Sequence, residues 1–205
     1  MSGPEQAPTQ AAVMELREER AVVSEAYDFL DEKRLLLAAE ILRQLETYDQ
    51  LSGQVAAIAT DAARSLRAAA GRHGLQGLSV YPAASLENAA VGMHTRNFMG
   101  VTLAETDIQL ATSINDNTAT ACNPSSEAEQ CRASFLELLK LNAVLAGVSG
   151  NLYRLSREYR VTERRARALE NVILPEIEQS MRIMTGHLEE LVFEDIIRVH
   201  LQARD

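Results

Sequence analysis

Residues 138–173 read LLKLNAVLAGVSGNLYRLSREYRVTERRARALENVI, and the spacing of their apolar residues decides the fold. Leu138, Leu141, Leu145, Val148, Leu152, Leu155, Tyr159, Thr162, Ala166, Leu169 and Ile173 alternate by three and four, and only Thr162 departs from apolar. Ten steps cover 35 residues, a mean of 3.5. A sustained 3.5 period marks the seam of a left-handed coiled coil. The helix that carries it is expected over 126–205. Ser125 or Ser126 would cap it, and Glu129, three residues after Ser126, would complete a capping box. Pro175 interrupts the pattern. An interior proline lacks the backbone donor, crowds the carbonyl four residues back and costs a helix ~3 kcal/mol. It lies two residues past Ile173, and beyond it Ile177, Met181, Met184, Leu188 and Leu191 continue without a strict heptad. Pro175 is therefore expected as a structural kink, where the regular seam gives way to a looser terminal stretch.

Working outward, a second long helix is expected over 11–70, after a flexible leader at 1–10. This region has no proline and only Gly53 as a glycine. Its apolar stripe runs Val23, Tyr27, Leu30, Arg34, Leu37, Ile41, Leu45, Tyr48, Ser52, Val55, Ala59, Ala62, Leu66, with a mean step near 3.6. The segment GRHGLQG (71–77), with three glycines, should stop it. The insert 71–125 differs in character. LSVYPAAS and AAVGMHTRNFMGVTLAE are rich in Val, Thr, Tyr and Phe, with Gly92 and Gly100 as punctuation, and read as one or two short strands, a hairpin, or small helical pieces. SINDNTATACNPSSEAEQ (113–130) is polar and turn-rich. The expected fold class is mainly α: a long antiparallel two-helix left-handed coiled coil of the N- and C-terminal helices, with a short β-hairpin or small-helix insert between them.

Composition narrows function by exclusion. Of 205 residues, 4% are aromatic and none is tryptophan. The net charge is −9, which argues against nonspecific nucleic-acid binding, since that needs a broad field of Lys and Arg. Lys33 and Lys140 are the only lysines. Cys122 and Cys131 lie nine residues apart without a second ligand pair at zinc spacing, and read as free thiols of a reducing compartment. The stretch MSGPEQAPTQ has neither a basic n-region nor an apolar h-region, so no secretory signal is expected. No run of 18 uncharged apolar residues is present, and no direct membrane insertion is expected.

Catalytic chemistry is equally hard to find. GVSGN (147–151) has two glycines but no lysine, and it falls inside the heptad seam, so it is no phosphate-binding loop. His73, His94, His187 and His200 are scattered. No nucleophile–base pair or metal-ligand cluster stands out. Catalytic, cofactor-binding and metal residues are all expected to be none, and the isolated chain reads as a non-enzyme. What remains is contact surface. Residues 154–167 hold six arginines against Glu158 and Glu163, a local +4 in an acidic chain. Arg157, Arg160, Arg164 and Arg167 share the stripe away from the seam. That stripe is either a solvated face or a docking or sliding contact with acidic groups on a partner. Phe98, Met93 and Met99 would pack internally or form an adaptable tip that grips a partner protein.

Three segments carry a resemblance. TERRARALENVILPEIEQSM (162–181) is similar to the C-terminal pattern of the D subunit of the V-type and archaeal A-type ATPases. The matching residues are Arg164, Arg165, Ala168, Leu169, Glu170, Asn171, Ile173 and Pro175. HTRNFMGV (94–101) resembles the same family's Thr-Arg…Met-Gly segment through Thr95, Arg96, Met99 and Gly100. LREERAVVSEAYDFLDEKRLLLAAEIL (16–42) resembles its charged first helix, ending here in Asp31-Glu32-Lys33-Arg34. The matches follow the family's order and span most of the chain. A departure lies at the C-terminus, where the family often has a lysine-rich tail and this chain reads LEELVFEDIIRVHLQARD.

The resemblance implies a central rotor shaft of a rotary ATPase. Its termini would sit inside the ring of catalytic and nucleotide-binding subunits. Its other end would join the protein that caps the membrane rotor ring, with the small F subunit of the stalk alongside. On that reading Arg157, Arg160, Arg164, Arg165 and Arg167 contact the ring or stalk. Thr95, Arg96, Phe98, Met99 and Gly100 serve the membrane-side end. The complex would be cytoplasmic and peripheral to a membrane, and would couple ATP hydrolysis or synthesis to ion translocation. The rival reading is a generic coiled-coil scaffold or tether with no motor role. A membrane-remodelling module is disfavoured by the lack of a basic helix face.

Overall fold

The structure, a computed structural model, describes residues 9–79, 81, 90–109 and 125–203. The order of elements is α1 (Gln10–Ser79), β1 (Ala90–Phe98), β2 (Val101–Gln109), α2 (Ser126–Ala168), a π-helical turn (Leu169–Ile173) and α3 (Leu174–Gln202). The protein is mainly α, with long N- and C-terminal helices and one antiparallel hairpin between them. Residues 1–8 of the expected leader, much of LSVYPAAS, and the polar stretch 113–124 with Cys122 lie outside the described residues, while Thr9 and Gln10 of that leader belong to the start of α1. The chain forms two compact units, Leu37–Glu158 and Met1–Leu36 with Tyr159–Asp205.

Local chemistry sets the helix boundaries. Thr9 caps α1, its Oγ1 accepting the Ala12 N–H at 3.1 Å. The expected stop at 71–77 is a break rather than an end. α1 runs past Ala70 to Ser79 and leaves helical geometry only at Gly74 (φ 68, ψ 164), a conformation open essentially to glycine. At the start of α2 the cap is Ser125, whose Oγ accepts the Ala128 N–H at 3.2 Å. That register puts Glu129 one position too late for the capping box. Glu129 instead accepts a bond from the Tyr81 hydroxyl.

In the Leu37–Glu158 unit, the inward positions of α1 are Leu37, Ile41, Gln44, Tyr48, Leu51, Val55, Ile58, Ala62, Ser65 and Ala69, each buried or half-buried. Nine steps over 32 residues is a heptad rhythm, which favours left-handed winding. The expected stripe differs at alternate turns. Leu45 and Leu66 are each 43% exposed, while Gln44 is buried and Ser65 half-buried. The seam accepts Gln44 because its Nε2 donates to Glu40 Oε1 at 3.0 Å, so the buried amide is not orphaned. On the C-terminal side the expected seam matches without correction. Each position from Leu138 to Ile173 in that stripe is buried or half-buried.

The other unit contains the irregularity near Pro175. The turn Leu169–Ile173 is π-helical, with the Leu174 N–H bonded to the Leu169 carbonyl five residues back. Pro175 then stands in the first turn of α3, where a missing N–H costs least. The wide turn absorbs the proline without ending the helix, in keeping with the use of π-bulges at helix distortions. Past it Ile177 is buried, Met181, Met184 and Leu188 are half-buried, and Leu191 is exposed, so the stripe fades one turn earlier than expected.

Candidate interaction site: a docked hairpin and exposed helix faces

A two-stranded hairpin is marginal in water by itself and needs a backing surface. Here the turn is Met99-Gly100, with φ 50 and 84, the paired positive values of a type I′ connection. Glycine takes such a value freely and methionine does not. Asn97 Oδ1 accepts the Gly100 N–H at 3.1 Å and steadies the turn. The register runs from Phe98↔Val101 to Ala90↔Gln109 without a bulge. β2 is the inner strand, with Val101, Leu103 and Ala104 buried, and Leu103 only 1% exposed. Burying a leucine fully stabilises by about 1.5–3 kcal/mol. β1 is exposed along almost its whole length.

Polar latches fix the hairpin on both sides. From α2, Asn151 presents its whole amide to one backbone unit of β2. Its Oδ1 accepts the Ala104 N–H at 2.8 Å, and its Nδ2 donates to the Ala104 carbonyl at 2.9 Å. Asn151 is 3% exposed, so these bonds form away from competing water. One turn earlier, Gly147 lets the strand approach. A Cβ there would lie 2.2 Å from Thr106 Oγ1, which itself donates to the Ala143 carbonyl at 2.6 Å. From α1, Glu40 receives Arg96 at 2.7 Å and Arg43 at 2.6 Å on the same oxygen. The Arg43 hydrogen bond, helped by Gln44 and by the charges of Arg43 and Arg96, outweighs desolvation and lowers the Glu40 pKa to about 2. Arg96 also lies 6.0 Å from the Phe98 ring centroid, within cation–π reach.

A cavity of about 320 Å³ opens beside these latches, lined among others by Arg43, Gln44, Arg96, Glu105, Thr106 and Asn151. Its two arginines are matched by Glu40 and Glu105, leaving no net field for an anion. At the far end of the same unit, Arg72 pairs with Glu127 at 2.8 Å and His73 bonds the capping Ser125. The helix-end amide of Glu127 itself, and then Arg72, hold its carboxyl below the ordinary range.

The sequence-derived candidates divide by role. Arg96 and Phe98 meet each other, and Arg96 also serves the latch. Thr95 sits on exposed β1, and Met99 and Gly100 make the turn. Arg157 is exposed in the first unit. Arg160, Arg164, Arg165 and Arg167 are exposed in the other, where Arg167 pairs with Glu163 at 2.6 Å and Arg164 Nε donates to the Arg160 carbonyl. Gly147 and Asn151, the residues that seat the hairpin, carried no site assignment from sequence. The signal was there as a glycine and an asparagine one residue before the seam positions Val148 and Leu152, where a small residue permits close approach and a buried amide needs partners. In α3, Phe193, Ile196, Ile197 and Leu201 are exposed around an open apolar hollow with His200 and Ala203. Among the described residues no cluster of His, Cys, Asp and Glu could hold a metal ion. Cys131 is a buried free thiol.

Comparison with known proteins supplies the family. The family model for the D subunit of ATP synthase matches residues 12–202. The D subunit of the V-type ATP synthase of Thermotoga neapolitana is 26% identical over 193 residues, covering 94% of each chain. The D subunit of the A-type ATP synthase of Pyrococcus horikoshii is 26% identical over 193 residues, 94% of this chain and 90% of its own. The D subunit of the V-type proton ATPase of Arabidopsis thaliana is 30% identical over 110 residues, 53% of this chain and 42% of its own. With the match running from the first turn of α1 to the last of α3, the chain belongs to the ATP synthase D-subunit family of V-type and A-type ATPases.

Proposed function

We propose that this chain is the non-catalytic central rotor shaft of a V/A-type rotary ATPase, linking ATP hydrolysis or synthesis in a soluble ring to ion movement across a membrane. The observation that carries the reading is the family match over nearly the whole described chain, joined to a fold of long helices and a hairpin that offers contact surfaces. A shaft needs stiffness, and the heptad seam with its latched hairpin supplies it in the Leu37–Glu158 unit. It also needs a surface for the subunits around it. The exposed apolar residues of α3 are suited to the inside of the catalytic and nucleotide-binding ring. The exposed Arg157, Arg160, Arg164, Arg165 and Arg167 are suited to acidic groups on ring or stalk subunits. The docked hairpin, with Thr95, Arg96, Phe98, Met99 and Gly100, would serve contacts toward the membrane-side rotor cap, with the small F subunit along the helices. The complex is then peripheral to a membrane on its cytoplasmic side.

Charge reversal tests this. Replacing Arg157, Arg160, Arg164 and Arg167 by Glu, all at exposed positions, should leave the chain folded. In the assembled complex it should lower ion pumping per ATP several-fold. Unchanged coupling in that variant would count against the arginine contacts. Recovery of the chain from cells without any ATPase subunit would favour a generic scaffold.

A further inference from the structure

The two outer edges of the hairpin are treated differently. Because Met99-Gly100 forms a two-residue turn, Phe98 and Val101 exchange ladder bonds, and so do the pairs at every second position below. The intervening residues of each strand turn their N–H and C=O away from the ladder. On β2 this row includes Ala104, and Asn151 saturates both of its groups. On β1 the row is Val91, Met93, Thr95 and Asn97, and among the described residues nothing bonds it. Natural edges are blunted by Pro, Lys or a bulge. β1, AVGMHTRNF, has no Pro, Lys or bulge; its one fixed charge, Arg96, is turned to Glu40, and Val91 and Met93 on the outward-bonding row are 65% and 63% exposed.

We propose that the free edge of β1 is a strand-docking site, occupied in the working complex by an extended segment of a neighbouring protein chain. The proposal rests on the reading of this chain as part of a multisubunit ATPase. Charge selects the occupant. β1 carries His94 and Arg96 on one face and no carboxylate, whereas β2 carries Glu105 and Asp107. Two copies joined through β1 would set these basic groups against one another, and like charges across a ladder are destabilising. Arg96 spends one of its nitrogens on Glu40 and keeps 43% of its side chain exposed, so further donors remain for a carboxylate. The occupant is thus a strand with an acidic residue beside Arg96 and apolar residues beside Val91 and Met93. The mode is β-augmentation, in which main-chain bonds give affinity and alternate side chains give specificity.

Amide hydrogen exchange read at single residues, on the isolated chain and on the intact ATPase complex, tests this by parity. In the isolated chain the amides of Gly92, His94 and Arg96 should be protected, while those of Val91, Met93, Thr95 and Asn97 exchange freely. In the complex the outward four should slow at least tenfold. Thr95→Pro removes one outward N–H and spares the ladder to β2. It should abolish the new protection while the inward amides stay protected. Equal exchange of the outward amides in both samples overturns the proposal. Protection already present in the dilute isolated chain overturns it too, because the chain would then cover its own edge. Protection that grows with concentration of the isolated chain overturns it in favour of self-pairing. A complex that rotates with β1 unprotected sinks strand docking and leaves the rotor reading standing, and a protected β1 in a complex that does not rotate does the reverse.

Discussion

The two compact units differ in how far they satisfy themselves. In Leu37–Glu158, buried polar groups meet partners inside the unit: Gln44 with Glu40, Glu40 with Arg96 and Arg43, and Asn151 with the Ala104 backbone. In the unit of Met1–Leu36 and Tyr159–Asp205, a long-range ion pair joins Arg20 to Glu178 at 2.9 Å, with both side chains about half exposed. Such surface pairs contribute about 0–1 kcal/mol. Its helix end leaves Val192, Phe193, Ile196, Ile197, Val199 and Leu201 in water. The Leu37–Glu158 unit is built to hold a shape. Its counterpart is suited to completion by a partner, since a dense exposed apolar surface marks an interaction site.

The contrast can be broken at its strongest point. Asn151→Leu would leave the Ala104 N–H and C=O buried without partners, each orphan costing about 1–3 kcal/mol. Denaturant unfolding should show a loss of about 2–4 kcal/mol, with hairpin amides losing protection before the helices do. A change below about 0.5 kcal/mol would mean that the hairpin is not latched from α2. Gly147→Val places side-chain atoms where Thr106 Oγ1 already stands, and overpacking of this kind costs about 1–3 kcal/mol. Pairing it with Thr106→Ala should recover part of that loss, and the double-mutant cycle measures the shared contact.

A smaller effect sharpens the electrostatic side. Glu40 has its pKa lowered to about 2, so the folded state favours its charged form. The stabilisation is fully present above the ordinary carboxylate value, 4.5, and is lost as pH falls toward 2. Arg43 and Arg96 are about half exposed and can recover hydration, so the contribution is discounted to about 1–2 kcal/mol. Glu40→Gln should flatten the fall in stability between pH 4.5 and 2. An unchanged pH profile would remove Glu40 as the latch on α1. Smallest of all, Phe193→Ser with Ile197→Ser should shift the stability of the isolated chain by no more than about 0.5 kcal/mol, because both side chains are already exposed. The same pair should sharply reduce recovery of the chain with ring subunits, which an affinity pull-down would show.

What the sequence made legible follows from which forces are local. The C-terminal seam was readable because its core positions, Thr162 excepted, are apolar and strictly spaced. α1 was harder. Choosing the most apolar residue at each turn selects Leu45 and Leu66, while the heptad buries Gln44 and tucks in Ser65. Helix pairing fixed the register, and a polar seam residue survives when a neighbour such as Glu40 satisfies it. Glycine counts in GRHGLQG could signal a break but not that Gly74 alone would supply it. Pro175 was visible, but the π-helical turn that accommodates it was not, since it depends on the hydrogen bonds of the preceding turn. The hairpin's existence could be read from Met99-Gly100 and the surrounding strand formers. Its docking through Asn151 and Gly147 joins residues 47 and 41 positions apart from Ala104 and Thr106, and no local pattern encodes such a pairing.

Whether this chain is the turning shaft is tested most directly by watching it turn. The ring subunits of the intact complex would be fixed to glass. A bead would be attached through Thr102→Cys, an exposed position on β2, in a chain with Cys122 and Cys131 replaced by Ala. The shaft reading predicts unidirectional stepping of the bead on addition of ATP, slowed or decoupled by the arginine reversals. A bead that stays still in complexes still hydrolysing ATP would contradict it.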